Sequence, residues 1–369
     1  MDLTARVDSF RFGAGRYFQE ENLLTRSGDE IKKYGRSVYV IAGPQALAAC
    51  GSSFKESLDK AGLTATVEVY DGYPSRTKIK ALTDQIREQG IEVLAGVGGG
   101  RILDLVKAAA CMAEIPMVMI PTSAATCACF TPVSVLYTDE GAHDCCWRFD
   151  REVDLVLVDE RVMAEQPPRL LAAGILDALA KYFEITNGRP ALTPKDDAIE
   201  LYAAYHMAEM TYRLLIENGP KAYADLTARR WTKTLRDVIF VNLALTGLIS
   251  NMTRGYNQTA IAHKLYESMR TCYFEECRPY YHGEIVGAGL ISQLKFNHNE
   301  AGIDELKAYM TVMNAPMTLT ALGLKGSDDE IETLTERIYQ TRFVKKTEEQ
   351  KALLRESLRL LLPDDGAAV

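Results

Sequence analysis

Strand-like and helix-like segments alternate through the first part of the chain, and that alternation narrows the available folds more than any other property. Residues 38–42 form a short apolar run rich in β-branched side chains, residues 44–61 carry a helical pattern, and residues 66–70 read as the next strand. The pattern then repeats. A helix over about 75–89 leads to a strand at 92–97, another helix follows, and residues 117–120 and 154–159 read as buried strands. Such alternation predicts a parallel sheet with helices on both faces. Pro167-Pro168 breaks the pattern, and from there to the end the periodicity is helical with few β-branched runs. A chain of 369 residues exceeds what one hydrophobic core usually supports. We therefore expect an α/β unit over residues 1–162 and an all-α unit over residues 163–369.

With 42 basic and 50 acidic residues the formal net charge is −8, which disfavours nucleic acid and anionic membrane as partners. The N-terminal residues 1–6 lack the apolar centre of an export signal, and no apolar run reads as approaching membrane-spanning length. A cytoplasmic protein is expected. Its eight cysteines should then be reduced. Cys127, Cys129, Cys145 and Cys146 lack the Cys-x-x-Cys spacing of a structural zinc site, so small apolar packing is expected of them, Cys127 excepted.

Gly98-Gly99-Gly100-Arg101-Ile102-Leu103-Asp104 follows a predicted strand and opens a predicted helix. Glycines there let a pyrophosphate approach the backbone, and the N–H groups and dipole at the helix start attract it. The run is not the G-x-G-x-x-G fingerprint, and a tight turn alone would account for one or two of its glycines. Pro121-Thr122-Ser123-Ala124-Ala125-Thr126 follows the next strand and offers hydroxyls at the same carboxyl edge of the sheet, where open α/β sheets bind ligands.

The chain has only five histidines, and two of them stand nineteen residues apart, His263 in Ala262-His263 and His282 in Tyr281-His282-Gly283-Glu284. A catalytic metal usually takes three protein ligands and keeps one position open. Asp177, in the apolar stretch Gly174-Ile175-Leu176-Asp177-Ala178-Leu179-Ala180, is the best third candidate, because a buried carboxylate without a partner is costly. Imidazole with carboxylate suits Zn(II) or Fe(II). On spacing alone a satisfied core histidine remains the other reading.

Gly98-Gly99-Gly100-x-x-x-Asp104, Pro121-Thr122-x-x-x-Thr126, Gly174-x-x-Asp177-Ala178-Leu179-Ala180, Ala262-His263 and His282-Gly283-Glu284 together resemble the glycerol dehydrogenase branch of the iron-containing (group III) alcohol dehydrogenases. The resemblance covers almost the whole chain. It implies the dehydroquinate synthase-like fold, with an α/β nucleotide-binding domain, an all-α domain and an active site between them. Asp177, His263 and His282 would be metal ligands. Gly98, Gly99, Gly100, Asp104, Thr122, Thr126, Thr131, Val133 and Tyr137 would meet NAD(P). Four-ligand members carry a further histidine four residues after the aspartate; here that position is Lys181, so the site resembles the three-ligand type, in which zinc is expected over iron. A divalent ion there would polarise a substrate carbonyl, or stabilise an alkoxide, while nicotinamide accepts or supplies hydride.

Two departures from that pattern bear on the substrate and cofactor. Where the glycerol branch usually reads Ser-Thr-Asp-Ala, this chain reads Ala125-Thr126-Cys127-Ala128, and a thiol poorly replaces a carboxylate that holds polyol hydroxyls. With Phe130-Thr131-Pro132 it resembles the members that reduce 2-oxo acids, so a small alcohol or 2-hydroxy acid and its carbonyl partner are expected, with glycerol as the alternative. At the first strand's end, Gly43 stands where NAD-using relatives carry an aspartate, which predicts that NADP is tolerated or preferred. Arg254 and Lys181 are candidates to hold a substrate carboxylate. His143 and His206 are needed by no constellation, whereas His298 could face the cleft. A sugar-phosphate cyclase of the dehydroquinate synthase type is a further alternative, disfavoured by Asp177 where a glutamate is usual; a non-catalytic relative is disfavoured by the intact ligand set. Like its relatives, the protein is expected to be a homo-oligomer.

Overall fold

The structure, a computed structural model, describes residues 12–254 and 258–363; residues 1–6, read above as lacking an export signal, lie outside it. Six strands form one sheet in the order β1 (Arg16–Glu20), β8 (Leu155–Asp159), β5 (Met117–Pro121), β4 (Val93–Gly98), β2 (Ser37–Ala42) and β3 (Thr64–Val69). Every neighbouring pair is parallel. The period-two alternation of each strand divides its side chains between the two faces. Val38, Val40, Val93, Ala95 and Val97 pack with Phe54 and Leu58 of helix Pro44–Lys60. Tyr39, Ile41 and Leu94 meet helices Arg76–Glu88 and Gly100–Ala113 on the other side. Each valine, leucine or isoleucine buried in this way contributes about 1.5–3 kcal/mol.

The chain leaves β2 for β3 on one side and β4 for β5 on the other, so the strand order reverses between β2 and β4. At that reversal two helices begin, one after Gly43 and one after Gly99, on opposite faces of the sheet. A crevice at the carboxyl ends of such a pair is where open α/β sheets take nucleotides. The predicted strands are all present. Two features were not predicted: β1, and an antiparallel hairpin of β6 (Val133–Tyr137) and β7 (His143–Arg148). β1 reads RYFQE and β7 reads HDCCWR, and neither contains a β-branched residue.

After β8 the chain is helical. Helix Pro168–Thr186 is apolar on nearly every side and packs against helices Ile199–Thr227 and His282–Phe296, the latter against Ile261–Cys272. One correction concerns apolar runs. The 20-residue stretch Lys233–Met252 is long and apolar enough to cross a membrane by composition, contrary to the sequence reading, but 72% of its most apolar window is buried inside the fold. It comprises Lys233–Phe240, a π-helical turn at Val241–Leu245 and Thr246–Met252. Its apolarity serves packing, which period counting along the sequence does not distinguish from a lipid-facing helix.

Candidate active site

Asp177 lies in the middle of helix Pro168–Thr186, His263 in the first turn of Ile261–Cys272 and His282 at the first position of His282–Phe296. Two glycines bring these helices close enough. A Cβ on Gly174 would stand 1.8 Å from the Ala124 carbonyl oxygen, and one on Gly283 1.8 Å from that of Ala173. No side chain fits at either position. Gly174 thus seats the Asp177 helix against the loop after β5, and Gly283 seats His282 against the Asp177 helix. Glu284 completes that placement, accepting the Tyr281 N–H at 2.8 Å and pairing with Arg169.

The three side chains converge. His263 Nε2 and His282 Nε2 lie 3.4 and 3.5 Å from Asp177 Oδ1, whereas a tetrahedral divalent ion with ligands at about 2.1 Å holds its donor atoms about 3.4 Å apart. The donor set therefore fits a divalent ion. Glu184, one and a half to two turns further along the Asp177 helix, takes the Nδ1 of His263 and accepts backbone N–H groups from His263 and Ala260, at 2.9 and 2.6 Å. A carboxylate on the distal nitrogen fixes the ring and leaves Nε2 facing the other donors. Sequence reading did not single out Glu184, although its spacing from Asp177 and Lys181 puts all three on one helical face. Tyr266 packs edge-on against His282 with ring centroids 4.3 Å apart, and its hydroxyl meets that of Tyr137 at 2.7 Å.

Lys181 is fully inside this group. Its Nζ lies 3.0 Å from Asp177 Oδ1 and 3.1 Å from His263 Nε2. Burial disfavours the Asp177 carboxylate, but the Lys181 ammonium and the bonds from His263 and His282 outweigh it and hold the acid well below the usual range. Burial likewise opposes the charge on Lys181; Asp177 above all, with Glu184, reverses that and raises its pKa. His263 is raised despite burial, chiefly by Glu184. His282 is lowered by burial. Cys127 is buried beside the same group, its thiol pushed up to about 12 by burial first and by Asp177 second. It is a neutral group.

At the sheet edge, Gly98 ends β4, Gly99 caps the next helix without a side-chain bond, and Gly100 is its first residue. Thr122 follows β5 and donates its N–H to the Gly98 carbonyl at 3.2 Å, while Thr126 faces Gly100. Gly43 lies against Ile102 of that helix. Asp104 is committed within the protein, paired with Lys107 at 2.9 Å and accepting the Val135 N–H at 3.2 Å. Lys107 in turn binds the carbonyls of Thr131 and Val133. Asp104, Thr131 and Val133 thus anchor the β6–β7 hairpin to the helix that opens at the glycines.

Arg254, a sequence candidate for a substrate carboxylate, is paired with Glu200 at 3.1 Å. His298 does not face the cleft. It is exposed beyond the far end of the helix that His282 begins, whose 15 residues span about 22 Å. His206 is an exposed partner of Glu209. Cys127, Cys129, Cys145 and Cys146 carry free thiols. His143, Cys146 and Glu267 form a second group of ligand-type atoms, all within 4.8 Å; Glu267 is already paired with Lys264, and burial pushes the Cys146 thiol up to about 12.

A doubly wound nucleotide-type sheet is thus joined to helices that present an Asp-His-His donor set, buried at Asp177 and His263 and half-buried at His282. A family model described as iron-containing alcohol dehydrogenase matches residues 14–160. A glycerol dehydrogenase of Pseudomonas putida is 32% identical over 84% of this chain and 84% of its own. Hydroxycarboxylate dehydrogenase A of Escherichia coli is 26% identical, again over 84% of both chains. The crystal structure of a probable glycerol dehydrogenase from Sinorhizobium meliloti superposes with a TM-score of 0.80 at 25% identity, covering 97% of this chain and 98% of that one. The chain belongs to the iron-containing alcohol dehydrogenase family, in its glycerol dehydrogenase branch. It is accordingly an oxidoreductase of alcohols and carbonyls, and the family implies NAD(P) and a divalent metal.

Proposed function

We propose that the protein reduces a small 2-oxo acid, or oxidises the matching 2-hydroxy acid, with NAD(P) as the hydride carrier and a divalent ion held by Asp177, His263 and His282. The observation that carries the reading is the convergence of two imidazole nitrogens, at 3.4 and 3.5 Å, on one Asp177 carboxylate oxygen. When bound, the ion supplies Lewis acidity to the substrate oxygen. Two imidazoles and one carboxylate suit either zinc or iron; the resemblance to the three-ligand members, with Lys181 where a fourth histidine would stand, is what favours zinc.

The chain's own residues do the positioning. Glu184 fixes the His263 ring, Gly283 and Glu284 set the start of the His282 helix, and Tyr266 braces the His282 ring. Gly98, Gly99 and Gly100, with Thr122 and Thr126, would receive the pyrophosphate where the backbone is open. Asp104, Thr131, Val133 and Tyr137 would shape the hairpin wall of the same crevice. Gly43 at the end of β2 carries neither the acid that binds a ribose 2′-hydroxyl nor one that repels a 2′-phosphate, which supports tolerance of NADP. We place the unit boundary at residues 162/163, treat the protein as cytoplasmic, and expect a homo-oligomer.

The similarity to glycerol dehydrogenases favours a second reading, in which glycerol is oxidised. Cys127 weighs against it, because its neutral, buried thiol offers a polyol no carboxylate acceptor. Kinetics of metal-loaded protein with pyruvate, glycolaldehyde and glycerol, repeated with Cys127→Asp, decide between them. We expect 2-oxo acid turnover in the wild type and a shift towards glycerol of about 10-fold or more in the variant, the order of one well-placed hydrogen bond to a charged group. An unshifted preference would remove Cys127 from the argument.

A further inference from the structure

We propose that His143, Cys146 and Glu267 form a second metal site, which takes a thiophilic divalent ion of the zinc type and ties the β6–β7 hairpin to the helix that carries His263. The site shares no residue with the Asp177 group and does not depend on the substrate assigned above.

The first observation is the convergence of three donors from two elements. His143 and Cys146 lie on β7, and Glu267 lies on helix Ile261–Cys272, one turn beyond His263. All three are half-buried, their ligand-type atoms fall within 4.8 Å of one another, and Cys146 Sγ stands 3.9 Å from His143 Nε2. A tetrahedral ion with sulfur at about 2.3 Å and nitrogen at about 2.1 Å holds those two atoms about 3.6 Å apart. The strand is shaped for this. Residues three apart in a regular strand face opposite sides of the sheet, but here Tyr137 pairs with His143 and Leu136 with Cys145, so Asp144 is an extra residue in β7. Such a bulge re-aims the side chains beside it, and it turns His143 to the side of Cys146. The Asp144 carboxylate is taken by Arg76 at 2.6 Å. Spacing along the sequence could not show the pair, because the bulge reverses what strand alternation implies.

The second observation is the chemistry of the donor set. A thiolate, a carboxylate and a neutral imidazole together carry two negative charges, so a divalent ion leaves the half-buried group neutral, and a buried net charge is what such a site must avoid. Sulfur and imidazole select an ion of the zinc type over magnesium or calcium, which take oxygen ligands. Lys264 pairs with one oxygen of the Glu267 carboxylate, which has a second to offer an ion. Coordination displaces the Cys146 proton to solvent. Losing that proton costs affinity, so this site fills after the Asp177 group.

The test is a cobalt(II) titration of the metal-stripped, reduced full chain, followed by thiolate-to-cobalt charge-transfer absorption in the near ultraviolet. Asp177, His263 and His282 supply no sulfur, so the band separates this site from theirs. It is expected in the wild type, undiminished in Asp177→Asn, bleached by added zinc, and absent in Cys146→Ser. In His143→Gln the cobalt affinity read from the band should fall at least about 10-fold, since even a partner that only orients a ligand is worth 10–100-fold. That variant carries the test if Cys146→Ser does not fold. No band in the wild type at any excess of cobalt, a band that persists in Cys146→Ser, or an unchanged affinity in His143→Gln overturns the proposal. A band lost in Asp177→Asn overturns it too, by assigning the sulfur to the first site. No turnover is read, so the result stands apart from that of the functional reading.

Discussion

Glu184 shows how much of the site depends on residues that touch no substrate. It takes His263 Nδ1 and two backbone N–H groups, so one carboxylate fixes both the ring and the start of its helix. Glu184→Gln keeps the size and removes the charge. Divalent-ion affinity, read by chelator competition, should fall about 10–100-fold, as for other partners that orient a ligating histidine. An unchanged affinity would mean the ring is oriented by packing alone. Asp177 stood out in the sequence as a carboxylate in an apolar stretch, a setting that requires a partner, and His263 and His282 as two of only five histidines. Glu184 carried the same signal, being buried on the Asp177 face, but a glutamate near a helix end reads as solvent-facing until the neighbouring helix is in place. His298 was misjudged for the converse reason: chain proximity to His282 gives no spatial proximity across a whole helix.

Among the elements, the join after helix Ile199–Thr227 depends on Asp225. Its carboxylate accepts the Thr232 hydroxyl at 2.7 Å and pairs with Arg230 at 2.8 Å, and Thr232 caps the next helix through the Leu235 N–H. The Thr232 bond, opposed by burial and assisted by Arg230, lowers the Asp225 pKa. A depressed folded-state pKa stabilises the protein above the ordinary aspartate value of about 3.9, and that contribution is lost as pH falls through the depressed value. Asp225→Asn should therefore cost about 1–2 kcal/mol near neutral pH. In urea denaturation the deficit should narrow steadily below about pH 4. A deficit independent of pH would show that shape, not charge, matters there. The parallel strands were readable because both faces of each are covered, leaving continuous β-branched runs. The β6–β7 hairpin was not, because β7 has no β-branched residue, and what ties the hairpin to the rest of the fold is distant in sequence: Lys107, Asp104 and the Tyr137–Tyr266 bond.

At the scale of the whole molecule, the reversal of strand order between β2 and β4 creates a crevice of the kind that takes nucleotides, and the convergence of three helices at Asp177 creates a donor set that fits a cation. The family shares the fold, and two of the sequence motifs mark close contacts within it: Gly174 against Ala124, and Gly283 against Ala173. Substrate identity was less legible, since it depends on what surrounds the cation rather than on what binds it. The central claim is that carbonyl reduction depends on an ion held by Asp177, His263 and His282. The most direct measurement is NADPH oxidation with pyruvate by metal-stripped protein as zinc is added back, beside Asp177→Asn under the same titration. Activity should be absent at the start, saturate at about one zinc per chain, the complement of a single three-ligand site, and stay absent in the variant. Full turnover by the stripped protein, or equal turnover by Asp177→Asn, would contradict the account.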